Sequence, residues 1–144
     1  MIVEVDAETA AVAIKRYVVV HDCGVVINPT IVEAQVQGGV AHGIGNAFYE
    51  QLVFDENGQL MNASFMDYLL PTSLDVPTVE MAHFETPSPL NPLGTKGVGE
   101  AGTLGSTPSV VAAAVDALSE FGVKHIDMML RPEKLWRIIQ GGQS

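Results

Sequence analysis

Apolar residues in this chain fall into a small number of runs with distinct periods. Residues 2–5 and 13–21, rich in Val, Ile and Tyr, read as strands, and Asp6 to Ala11 supplies the turn that pairs them as a hairpin. Asp22-Cys23-Gly24 closes the second strand. Asn28-Pro29 then offers an N-cap followed by proline at the first helical position. Val32, Val36, Val40, Ile44 and Phe48 recur four apart, one face of a helix from about residue 30 to 50. Phe54 to Leu60 reads as strand, Asn57-Gly58 turn, strand. Thr78 to Glu85 is a further strand with Val79, Met81 and His83 on one face. Residues 86–96 hold three prolines and must be an irregular loop.

Thr107-Pro108 repeats the cap-plus-proline signature, so a second helix is predicted to start there. Val111, Ala114, Val115, Leu118 and Phe121 give it an apolar face, and Gly122 stops it. A short last helix follows Arg131-Pro132 and packs Leu135, Trp136 and Ile139, with Gln140 to Ser144 frayed. The class is α+β: residues 1–144 form a single small mixed domain of β-hairpins and strands, packed with two main helices and a short C-terminal helix.

Two segments break ordinary expectation. The first helix contains Gly38, Gly39, Gly43 and Gly45, each destabilising by roughly 1 kcal/mol relative to Ala in a helix interior. Gly39 and Gly43 share one stripe. Either a neighbouring backbone packs against that stripe, or a bulky ligand approaches it. The second segment is Gly94-Thr95-Lys96-Gly97-Val98-Gly99-Glu100-Ala101-Gly102, where four glycines and a lysine surround one acid. Such a loop suits a positioned catalytic base; the alternative is a surface turn with an incidental Glu. Gly97 to Gly102 also spells G-x-G-x-x-G. A dinucleotide fingerprint needs a strand directly before it and a helix opening within it. Here a proline-rich loop precedes, and the helix is predicted to begin only at Thr107. Lys96 precedes the glycines, which excludes a P-loop.

Composition narrows the function further. Of 144 residues 47% are hydrophobic, enough for a folded core, and the net charge of −10 opposes binding to nucleic acid or to an anionic membrane. Cys23 is the single cysteine, so no intrachain disulfide and no cysteine-ligated cluster can form from this chain alone. His21, His42, His83 and His125 are scattered without metal-site spacing, so no metal ligand is assigned. His42, on the glycine-rich helix, either faces a ligand or is a structural side chain. No apolar run reaches the ~18 residues of a membrane span, and the N-terminus lacks a signal-peptide pattern. A soluble cytoplasmic protein is expected.

The two unusual segments occur in order with others. Asp22-Cys23-Gly24, Ile27-Asn28-Pro29, Ala34-Gln35-Val36-Gln37-Gly38-Gly39, Gly43-Ile44-Gly45 and Lys96-Gly97-Val98-Gly99-Glu100 together resemble the C-terminal part of the molybdenum-binding large subunit of the xanthine oxidase, aldehyde oxidase and carbon monoxide dehydrogenase family. Asp67-Tyr68-Leu69-Leu70-Pro71-Thr72 and the stretch from Gly122 to Met128 fit the same branch. The resemblance implies that Glu100 is the general base of an oxidative hydroxylation of an aldehyde, an N-heterocycle or carbon monoxide. It implies that Gln35 contacts the molybdopterin, in its cytosine dinucleotide or simpler form. Backbone at Lys96, Gly97, Val98 and Gly99 would approach the pterin, and Gly38 and Gly39 would let the first helix come close.

The same resemblance implies partners: the remaining large-subunit segment, an iron–sulfur subunit and a flavin subunit that carries FAD. The cofactor would then be held only in the assembled enzyme. The isolated chain is expected to be inactive and to self-associate through its apolar face, in line with its mean hydropathy of +0.25. The competing expectation is a structural remnant that folds and self-associates without cofactor.

Overall fold

The computed structural model describes residues 1–141. Residues 142–144, part of the expected frayed tail, lie outside the described residues. Strands β1 (Ile2–Val5) and β2 (Val12–Asp22) pair antiparallel, with Val5 opposite Val12. Asp6 closes the turn: its carboxylate accepts from the N–H of Glu8 at 2.9 Å and Thr9 at 2.8 Å, and its carbonyl accepts from Ala10. Strand β3 (Val79–Phe84) runs parallel to β2, from Tyr17 opposite Val79 to Asp22 opposite Phe84. The sheet order is β1-β2-β3.

Helix α1 spans Pro29–Phe48, and the Asn28 side chain caps it by accepting from the Ile31 N–H. Its buried residues Val32, Val36, Val40 and Ile44 are those the four-residue spacing picks out. They join Tyr17, Val110, Ala114, Leu118, Ile126, Leu130 and Leu135 in one hydrophobic cluster. The glycine stripe has a packing explanation. A Cβ on Gly39 would stand 2.7 Å from the Cα of Gly102, and one on Gly43 would stand 2.6 Å from the Ser106 hydroxyl oxygen. Both are closer than side-chain atoms approach. Helix α2 (Ala101–Ala117) therefore runs against α1 almost backbone to backbone. Across this seam the Ser106 hydroxyl donates to the Val40 carbonyl at 3.1 Å and the Thr103 hydroxyl to the Gly39 carbonyl at 3.3 Å.

Three expectations need correction. Helix α2 begins at Ala101, not Thr107, and Pro108 lies inside it. Burial of Gly102 and Ser106 against α1 outweighs the weak helix propensity of this glycine-containing first turn. The Thr107 hydroxyl donates to Thr103 and the Ser109 hydroxyl to Gly105, so side chains bond to carbonyls around the proline. The inward face of α2 is Val110 and Ala114, continued by Leu118 at its cap, while Phe121 is 48% exposed. Second, residues 54–60 form a turn with one Phe54–Leu60 bridge and no paired strands. The Asp55 carboxylate takes the N–H of both Asn57 and Gln59 at 2.8 Å, satisfying the turn locally. Third, helix α3 (Pro132–Ile139) buries Leu135 and Ile138, whereas Trp136 is 45% exposed. A single-turn 3-10 segment, Ser119–Phe121, joins α2 to Gly122, which takes φ 77° and stops the helical run.

Candidate functional site

The end of β2 and the glycine loop are clasped together. Gly24 and Gly94 both have positive φ, 68° and 67°, and a Cβ on Gly24 would collide with the Gly94 carbonyl. Only glycine allows that approach. The Lys96 N–H donates to the Cys23 carbonyl at 2.7 Å, and the Lys96 ammonium pairs with Asp22 at 2.9 Å. Asp22 also accepts from the N–H of Gly24 and of Thr86. These bonds, with Lys96 the largest contributor, hold the Asp22 carboxyl well below the usual carboxylate range. Nearby, Glu85 accepts from the Val26 N–H at 2.9 Å. The sequence showed Asp22 as a strand terminator and as part of the Asp22-Cys23-Gly24 motif, and assigned it no partner. Its partner is 74 positions away, so spacing carried no signal of this role.

Beyond the clasp the loop is open. Val98 packs against the core cluster and anchors the loop, while a Cβ on either Gly97 or Gly99 would meet nothing within 4 Å. The N–H groups of Gly97, Val98 and Gly99 enter no backbone hydrogen bond among the described residues. Lys96 differs, because both its amide and its ammonium are engaged within the chain. Glu100 is the N-cap of α2, with an exposed side chain that makes no capping bond. Gly102, two residues on, lies against Val36 and Gly39 of α1. The seam therefore brings the start of α2 beside the α1 turn that carries Gln35 and Gly38.

On that turn, Gln35 is exposed and its amide has no hydrogen-bond partner among the described residues, and Gly38 borders open space. Gly39 is different, since it is buried in the seam and serves packing. His42, two turns beyond Gln35, is exposed, with Nδ1 3.5 Å from the Thr103 hydroxyl oxygen. His21 and His83 are register partners across β2 and β3, and His125 pairs with Asp127 at 2.9 Å. No group of three or more His, Cys, Asp or Glu side chains is placed to hold a metal ion among the described residues.

Helix α2 opens inside the glycine motif, contrary to the sequence expectation. The strand that a dinucleotide fingerprint requires directly before it is still missing, because β3 ends at Phe84. A cavity of about 440 Å³ lies between Ile14, Phe48, Tyr49, Asp75 and Leu130, and neither Glu100 nor Gln35 lines it. The Gln35–Glu100 surface is thus open on this chain. No helix among the described residues is long and apolar enough to cross a membrane.

The family model of the molybdopterin cofactor-binding domain matches residues 1–77, more than half of the chain. The chain belongs to this family. The match includes Gln35, Gly38 and Gly39 and stops short of the glycine loop. The chain is 45% identical to the nicotine 6-hydroxylase large subunit of Paenarthrobacter nicotinovorans over 98% of its own length and 17% of that protein. It is 40% identical to the carbon monoxide dehydrogenase large chain of Hydrogenophaga pseudoflava over 96% of its length and 17% of that chain. Its fold superposes on the crystal structure of quinoline 2-oxidoreductase from Pseudomonas putida 86 with a TM-score of 0.93 and 45% identity, covering 98% of this chain and 18% of that one. Molybdenum-binding subunits of xanthine dehydrogenase and aldehyde oxidoreductase are relatives too. The chain therefore spans less than a fifth of the curated relatives it matches.

Proposed function

We propose that this chain is the C-terminal segment of a molybdopterin-binding large subunit, residues 1–144 folding as one domain, and that it contributes the catalytic base Glu100 to a molybdenum hydroxylase. The observation that supports the reading is the packing of Gly39 on Gly102, which brings the start of α2, where Glu100 is the N-cap, close to the α1 turn that carries Gln35.

The residues fit a molybdopterin. Gln35 offers both donors and an acceptor, and the free amides of Gly97, Val98 and Gly99 offer donors to its polar edge. Gly38, Gly97 and Gly99 have no Cβ to hold a flat ring system away, and each borders open space. When bound, the cofactor supplies the two-electron acceptor for hydroxylation of a substrate carbon. Glu100 receives on its carboxylate the proton that the attacking oxygen gives up, and passes it to solvent afterwards. The clasp between Asp22 and Lys96 fixes the start of the loop, and α2 fixes its end, so the carboxylate is presented from a rigid support. Glu100 is exposed on this chain alone, so the enclosing wall that excludes water must come from the rest of the enzyme.

The substrate is an aldehyde, an N-heterocycle or carbon monoxide. The remaining large-subunit segment, an iron–sulfur subunit and a flavin subunit with FAD complete the enzyme, which we place in the cytoplasm, with the cofactor in its cytosine dinucleotide or simpler form. Replacing Glu100 tests the reading. In the assembled enzyme Glu100→Gln lowers turnover at least ~10²-fold while molybdenum content stays at the wild-type level. Unchanged turnover would remove Glu100 from the mechanism.

A further inference from the structure

Strand β3 has β2 on one side and no strand on the other among the described residues. Its outward side chains are Glu80, Ala82 and Phe84, and the outward residues of β2 beside them are Val18 and Val20. Phe84 is 69% exposed, Val20 55% and Val18 43%. The charged residue on this stretch is neutralised within the sheet: the Arg16 guanidinium donates two bonds of 2.7 Å to the Glu80 carboxylate. Protected sheet edges carry lysine, proline, an inward charge or a bulge. Residues 79–84, VEMAHF, have no lysine or proline, and their register with β2 is unbroken. This is an open edge with an apolar flank, the geometry to which a further strand adds.

The edge also leads into the site. Phe84 is followed by Glu85, which holds Val26, and by Thr86, whose N–H reaches Asp22. Whatever fixes the end of β3 therefore steadies the clasp behind Glu100. As for the occupant, the relatives keep this fold inside chains more than five times longer than the matched part, and most of each lies outside the match. We propose that an extended segment from the remaining part of the molybdenum-binding large chain adds to the free edge of β3 beside Phe84, and that the chain leading to it crosses the sheet face over Val18 and Val20. This proposal rests on the reading that the chain works within a larger molybdenum enzyme.

The test uses the tagged chain and its Val20→Glu and Phe84→Glu variants, retrieved from native cells, with bound chains identified by mass spectrometry. Both substitutions are at exposed positions, and circular dichroism checks that the fold is kept. Wild type is expected to retain a chain carrying the family's other molybdopterin-binding segments, and each variant to retain it at least ~10-fold less. Hydrogen exchange at residues 79–84 is expected to slow in the complex relative to the free chain. Equal retention by the variants, with β3 exchange unchanged, overturns the proposal and leaves the larger-enzyme reading intact. A free chain that sediments as a dimer with β3 already protected also overturns it, by assigning the edge to a second copy. If wild type retains no such chain, the larger-enzyme reading fails and this proposal fails with it.

Discussion

Glycine has two opposite uses on α1, one position apart. Gly39 is buried against Gly102, while Gly38 borders open space. The sequence left packing and ligand approach as alternatives for the Gly39–Gly43 stripe, and the structure gives packing to both residues. Gly39→Ala and Gly43→Ala should each destabilise the chain by about 1–3 kcal/mol, the usual range for overpacking, read by urea denaturation. Gly38→Ala has no clash to make and should stabilise the isolated chain by up to ~1 kcal/mol through helix propensity. A destabilised Gly38→Ala chain would contradict the open placement of that residue. Glu100 stood out in the sequence because one acid sat among four glycines. Asp22 did not, because its value lies in a contact with Lys96 that only the folded chain creates.

Elements were legible where their signals were local. Asn28-Pro29 marked the start of α1, and the alternation in residues 79–84 marked β3. The start of α2 was not legible, since Gly102, Thr103, Gly105 and Ser106 are weak helix formers and Pro108 mimics a first-turn proline. Tertiary contact with α1 decides that turn, and no single-segment pattern contains it. The clasp between β2 and the loop has a pH dependence whose sign follows from Asp22. Its carboxyl is depressed in the folded state, so its contribution is complete above the unfolded value of about 4 and is lost as pH falls below it. Amide NMR signals of Gly97 and Gly99 should therefore hold steady from neutral pH to about pH 4 and shift at lower pH. In Asp22→Asn the loop should be loosened already at neutral pH and this acid transition absent. Tyr49 gives a marker at the other extreme. Burial and its bond to Asp75 push the phenol up to about 12, so its stabilising neutral form is lost only as pH rises from about 10 toward that value. Tyr17, through burial, and Tyr68, through its bond to Glu50, are raised as well, so an ultraviolet titration should show all three tyrosines ionising above the ordinary phenol range, and Tyr49→Phe should remove the component near 12.

At the scale of the whole molecule the chain has a core and an incomplete surface. Leu52, Phe65, Met66, Leu70 and Leu74 are exposed in the 50–75 segment, in addition to the sheet face. Exposed apolar side chains in such number indicate a surface that is covered in function. The fold class and the family were readable from ordered motifs; the seam that packs Gly39 on Gly102 was not, because it joins residues far apart in the chain. The isolated protein should accordingly self-associate in sedimentation and carry no molybdenum. The central claim is that Glu100 completes a molybdenum site shared with a larger chain. Elemental mass spectrometry of the protein gently purified from its native cells, with co-purifying chains identified, tests it most directly. The account predicts molybdenum together with a larger molybdopterin-binding partner; protein with neither metal nor partner would contradict it.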